Sequence, residues 1–171
     1  MSREGAGNRS AAGEAGAIPP GLAVQYIDRW SAASQLLSLS TLERLCGKDV
    51  PNEARQAQLS LSHVIVATYH DAPMACVAYK PGAAGVRVAH ELWVDANAPC
   101  GIAPVTGALL GRLEQEVIRS GCSTLFIVVS HTTPLRRILQ TKGYTIPLEG
   151  ADLLWFKKTF HPKPDRAARG R

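Results

Sequence analysis

Residues 89–121, AHELWVDANAPCGIAPVTGALLGRLEQEVIRSG, bring groups that handle protons and groups that handle anions onto one short stretch. It reads as a strand, a loop of small residues and a helix. A helix N-terminus offers free backbone N–H groups and the positive end of a dipole to an anion, so this order can hold the phosphates of a cofactor. On the strand, His90 and Glu91 are adjacent proton-accepting groups, and a histidine with an unperturbed pKa of about 6.5 is mostly neutral in the cytosol. Strand alternation predicts His90, Leu92 and Val94 on one face and Ala89, Glu91 and Trp93 on the other, unless a bulge intervenes. Cys100 lies in the loop, where a helix N-terminus favours a thiolate, but no base adjoins it. Plainer readings stand beside these: His90 as a hydrogen-bonded surface histidine, Glu91 in an ion pair, Trp93 as packing.

The surrounding elements must position this stretch. LAVQYIDRW (22–30) alternates as a first strand, and Leu36, Leu37, Leu39, Leu42 and Leu45 recur at helical spacing until Gly47 and Pro51. A weak helix over 52–59 precedes three strand candidates, 63–70, 74–80 and 86–94. Turns at Asp71-Ala72-Pro73 and at Pro81-Gly82 with Gly85 make them an antiparallel meander. A helix over about 104–120 follows, its Val105, Leu109, Leu113 and Val117 forming an apolar stripe that packs on a sheet. LFIVVS (125–130) is then a strand parallel to the one before the helix, because a crossover separates them. A helix over 134–142, with Thr133 as N-cap and Pro134 as its first residue, and a strand near 153–158 complete the order.

The chain has 171 residues, 46% of them hydrophobic and 6% aromatic, enough for one domain with an aliphatic core. Residues 1–21 have no apolar periodicity and are expected to be disordered, 22–160 to form the domain, and 161–171 a basic tail. Residues 157–171 hold six basic side chains against Asp165 alone, which equals the whole formal charge of +5. Such an end is either a solvated tail or a weak, nonspecific contact for nucleic acid or another acidic partner. Cys46, Cys76, Cys100 and Cys122 form no C-x-x-C pair, which argues against a zinc ribbon or dithiol motif and for buried thiols in a reducing, cytoplasmic setting. No signal-peptide pattern and no run of membrane-spanning length occurs.

The order of elements over residues 22–160 is similar to the GNAT superfamily of acyl-CoA-dependent N-acetyltransferases. LWVDANAPCGIAPVTGALLGRLE resembles the family's strand, loop and G-x-x-L-L helix; Lys142-Gly143-Tyr144 resembles its K-x-G-[FY] helix ending; DLLWFKK resembles its last strand. Degraded GNAT-like proteins of tailed phages and prophages look similar too. The resemblance implies an α/β (α+β) fold: a mixed sheet with an antiparallel meander, then a parallel β-α-β unit, and helices on both faces. It implies acetyl-CoA as co-substrate without a metal, its pantetheine lying along Leu92, Trp93 and Val94. The pyrophosphate would lie on the loop and helix start at Gly101, Ile102, Ala103 and Thr106, with Gly107 included if the loop is longer than usual. It implies His90 as base, Glu91 as second choice and an oxyanion contact from the amide of Trp93 or Val94; Tyr144 is a candidate displaced acid, with a core aromatic as the favoured reading, and His131 a candidate pantetheine contact, with a helix cap as the equal alternative. The family loop [QR]-x-x-G-x-[GA] is met here by one glycine, no Arg or Gln, and Pro104, and its tyrosine falls on Leu139. The expected function is N-acyl transfer to a small-molecule or protein amine. A GNAT-like binding or virion-associated protein without turnover, and modification of a nucleic-acid base, are the competing readings.

Overall fold

The computed structural model describes residues 18–27 and 62–161. The helices expected between residues 31 and 59, most of the N-terminal segment and the tail beyond His161 lie outside them. The elements are β1 (Leu22–Ile27), β2 (His63–Tyr69), β3 (Ala72–Pro81), β4 (Val86–Val94), α1 (Ile102–Arg119), β5 (Thr124–Ser130), α2 (Arg136–Thr141), β6 (Thr145–Glu149) and β7 (Leu153–Thr159). They form a seven-stranded sheet in the order β1-β2-β3-β4-β5-β7-β6. β1 to β4 are antiparallel neighbours, β4 and β5 run parallel, and β5, β7 and β6 are again antiparallel. The meander and the parallel crossover are those the sequence predicts.

The core lies between the sheet and α1. Val105, Leu109, Leu110, Leu113 and Val117 of the helix pack against Ile65, Ala67, Ala75, Val77, Leu125 and Ile127 of the strands. Each fully buried Val, Leu or Ile among them contributes about 2 kcal/mol through loss of apolar surface from water. Leu135 and Leu139 join the same core beside α2. The opposite face of the sheet also carries buried side chains, among them Val64, Val66, Cys76 and Ala78. No described helix is long and apolar enough to cross a membrane.

Three local expectations are corrected. The β2–β3 turn falls at His70-Asp71, both with positive φ, so Ala72 and Pro73 already belong to β3; two consecutive positive φ values give the primed turn whose twist suits a hairpin. Pro73 is accommodated where the ladder slips between Ala67 and Thr68. Helix α2 begins at Arg136, not at Pro134: the Thr133 hydroxyl accepts the Leu135 N–H at 3.2 Å within a turn that precedes the helix. Strand β6, beside the single last strand that the sequence predicts, carries no strand pattern because TIPLE has no buried residue and contains Pro147. The ladder with β7 is irregular across that proline, as expected for an edge strand.

Candidate active site

β4 and β5 are paired for only part of their lengths. Their ladder runs from Val86↔Thr124 to Ala89↔Ile127 and stops. Beyond it β4 stays paired with β3 as far as Val94, and β5 stays paired with β7 as far as Ser130. The two strands therefore diverge into a wedge in the middle of the sheet.

The divergence begins at a bulge. Tyr79 pairs with Ala89 and Ala78 with Glu91, so His90 is an extra residue in β4. Tyr79, Val77, Ala89 and Leu92 all belong to the core beneath α1. Glu91 and Trp93, opposite Ala78 and Cys76, therefore point to the other face, and a bulge turns its two neighbouring side chains the same way. This corrects the alternation read from sequence: Ala89, Leu92 and Val94 share the helix side, and His90 joins Glu91 on the side away from α1. The two proton acceptors, expected on opposite faces, are brought together.

His90 is half-buried, and its Nε2 lies 2.9 Å from the Oγ of Ser62, which is 3% exposed. Burial first, and the nearby Lys80 ammonium second, hold its pKa below the usual histidine value. Its imidazole is accordingly neutral at neutral pH and able to accept a proton.

The loop after β4 is built by Asp95. Its N–H donates to the Met74 carbonyl at 2.7 Å, its Oδ1 accepts the Asn97 N–H at 2.9 Å, and its carbonyl accepts the Ala98 N–H at 3.1 Å. Asp95 was not singled out from sequence, although Asp followed by Ala-Asn-Ala-Pro is a usable turn signal. The Gly101 N–H then closes on Ala98 at 2.8 Å, and Gly101 caps α1 with φ 86° and ψ 153°, a region that side chains disfavour. The helix thus starts at Ile102, two residues earlier than expected, which makes Pro104 its third residue. The N–H that proline lacks has no partner within a helix at that position, so Pro104 costs the ladder nothing. Ile102 and Ala103 offer their N–H groups at the end of α1, and the first turn holds no acidic side chain to compete with an anion.

The remaining expected residues fall elsewhere. The Thr106 hydroxyl is buried and donates to the Ile102 carbonyl at 2.7 Å, inside the helix. Gly107 lies in the second turn of α1 facing the Lys142 side chain, so it extends no loop. The Nε2 of His131 lies 2.8 Å from the Gly150 carbonyl and its N–H donates to Asp152 at 3.2 Å, tying β5 to the β6–β7 turn. Cys100 is half-exposed just before the Gly101 cap, while Cys76 and Cys122 are buried. Tyr144 is buried and donates to Glu114 Oε1 at 2.9 Å; the same oxygen accepts Lys158 Nζ at 2.8 Å. Desolvation, then the Glu114 charge, push the tyrosine pKa far up. Glu114 sits twelve residues past Ile102, about 18 Å along the helix at 1.5 Å per residue. Tyr144 is thereby held away from the N-terminal end of α1. Leu139 is fully buried in the core. No group of three or more His, Cys, Asp or Glu side chains suited to a metal occurs among the described residues.

No family model and no curated protein matches the sequence. Solved structures do. The aminoglycoside 6'-N-acetyltransferase from Enterococcus faecium superposes with a TM-score of 0.65 at 18% identity, over 84% of this chain and 99% of that one. A GNAT family acetyltransferase from Elizabethkingia anophelis with acetyl-CoA bound gives 0.62 at 13% identity, over 83% and 100%. The PaiA N-acetyltransferase from Thermoplasma acidophilum in complex with coenzyme A gives 0.59 at 8% identity, over 81% and 99%. Likeness at these identities speaks for architecture rather than for a reaction, and with the mixed sheet, the parallel β4–β5 step and the crossover helix it establishes that this chain has the fold of the GNAT acetyltransferases.

Proposed function

We propose that the protein is an acyl-CoA-dependent N-acetyltransferase that acts on an amine, with His90 as its base. The observation that carries this reading is the coincidence of two breaks: the β4–β5 ladder ends at Ala89↔Ile127, and the next residue of β4 is the bulged His90. An extended, amide-bearing arm such as pantetheine suits a gap between diverging strands, because it can bond to the backbone of β4 at Leu92 to Val94 as another strand would. A diphosphate suits the amides of Ile102 and Ala103 at a helix start without acidic side chains. These features fit acetyl-CoA although the loop lacks the family's Arg or Gln.

Acetyl-CoA, when bound, supplies the activated acyl group. His90, kept neutral by burial and Lys80, takes a proton from the incoming ammonium and so frees its lone pair. Glu91 on the same face can share the positive charge of the acceptor. Trp93 and Leu92 are both buried beside the wedge and keep water from it. Further support comes from the fold neighbours, which are acetyltransferases, two of them solved with coenzyme A or acetyl-CoA. The basic tail lies outside the described residues and adds nothing for or against this reading.

The test is calorimetric titration of acetyl-CoA into the wild-type protein and into Ala103→Asp. Aspartate in a first helical turn favours the helix, so the substitution leaves the fold intact while setting a negative charge against the pyrophosphate. Saturable binding that weakens about tenfold in the variant, roughly 1.4 kcal/mol, is the expected result. Absence of binding at millimolar acetyl-CoA would leave the fold standing and turn the reading toward a GNAT-like binding protein without turnover.

A further inference from the structure

His90 has two ring nitrogens in different surroundings. Nε2 lies 2.9 Å from Ser62 Oγ, whereas Nδ1 has no hydrogen-bond partner among the described residues. Ser62 is almost fully buried and immediately precedes β2, a central strand paired on both sides. Its neighbour His63 lies opposite Tyr79 on the α1 side and engages the Tyr26 hydroxyl at 2.9 Å. By alternation Ser62 lies on the other face, where the bulge turns His90. The serine thus sits one residue before β2, beside His63, which is paired with Tyr79.

Resting on the reading of His90 as the base, we infer that Ser62 is a positioning residue that selects the Nε2–H tautomer of His90 and leaves Nδ1 as the nitrogen that takes the proton from the amine. In this arrangement Nε2–H donates to Ser62 Oγ. When the substrate ammonium loses its proton, one N–H bond breaks there and one Nδ1–H bond forms. The imidazolium then carries both N–H groups, and the bond to Ser62 persists throughout. The opposite arrangement, with the serine hydroxyl donating to Nε2, would protonate Nδ1 and turn the ring's one lone pair toward a buried partner. A proton could then reach the base only after that bond broke. Charged residues beside His90 are Lys80 on β3 and Glu91 on β4; Lys80 disfavours protonation of the ring, and neither occupies Nδ1.

The experiment is a long-range ¹H–¹⁵N correlation spectrum of the ¹⁵N-labelled full chain above pH 7, with the His90 signals assigned by their loss in His90→Gln. Ser62→Ala and Ser62→Thr are compared with wild type by the same spectrum and by CoA release from acetyl-CoA with a panel of primary amines. An Nε2–H tautomer in wild type that becomes mixed in Ser62→Ala supports the inference. So does a ten- to hundredfold fall in kcat at an acetyl-CoA KM within twofold of wild type, with an acid limb moved to lower pH and recovery in Ser62→Thr. An Nδ1–H tautomer in wild type overturns it, as does a Ser62→Ala protein with unchanged tautomer and pH profile. If Ser62→Ala does not fold, the wild-type spectrum alone decides between the tautomers. A wild-type protein that binds no acetyl-CoA and releases no CoA would instead overturn the functional reading, and the tautomer would still show whether Ser62 holds the ring as inferred.

Discussion

β5 has two neighbours and treats them differently. Against β7 it is in register over its whole length, from Thr124↔Thr159 to Ser130↔Leu153, whereas against β4 it lets go after Ala89↔Ile127. The closed side is reinforced across the core, where Lys158 of β7 meets Glu114 of α1 and Glu114 accepts the Tyr144 hydroxyl. The open side holds a histidine with one nitrogen engaged and the other without a partner among the described residues. Continuous pairing satisfies backbone groups and yields stability; interrupted pairing leaves a place where another extended molecule can complete the sheet. On the closed side the Tyr144 hydroxyl is engaged by Glu114, while beside the gap His90 keeps Nδ1 without a partner among the described residues.

The largest expected effect falls on the open side. His90→Ala should lower kcat about 10²- to 10⁴-fold, the usual worth of a positioned general base, while calorimetry finds acetyl-CoA binding intact. Equal losses in binding and turnover would mean that His90 shapes the wedge instead. On the closed side the effect should be on stability: Glu114→Ala leaves the Tyr144 hydroxyl and the Lys158 ammonium short of their shared acceptor and should cost about 2–3 kcal/mol in urea unfolding. Its kcat should stay near wild type, so a turnover loss as deep as that of His90→Ala would erase the contrast between the two regions.

The pH profile gives the smallest effect. Burial and Lys80 lower the His90 pKa, so the acid limb of kcat/KM should lie below pH 6.5, the ordinary histidine value. The same shift bears on folding. The unfolded chain binds the proton more readily than the folded one, so His90 costs stability as pH falls from the unfolded toward the folded pKa, and costs nothing above that window. An acid limb above the ordinary histidine value would point to Glu91 dominating the ring's surroundings.

How far this division could be read beforehand follows from what each feature depends on. β4 was legible to the residue, because VRVAHELWV is β-branched and apolar between Gly85 and Asp95. So was the parallel step to β5, which the intervening helix requires. The bulge was not: alternation has a period of two, and one inserted residue moves every later side chain to the other face without leaving a mark in composition. The start of α1 was misjudged because Pro104 suits the first helical position and suits the third equally well for want of a partner there. The Tyr144–Glu114 bond joins residues 30 apart on different elements and follows only from the packed core. His90 could be singled out as a residue able to do chemistry, but its partner Ser62, 28 residues earlier, could not.

The most direct test of the wedge is a ¹H–¹⁵N amide spectrum of the labelled chain titrated with acetyl-CoA. The expected result is saturable shifts at Leu92 to Val94 and at Ile102 and Ala103, with the β6 and β7 amides unmoved. Shifts confined to β6 and β7, or none at millimolar ligand, would contradict the claim that the break between β4 and β5 is the binding site.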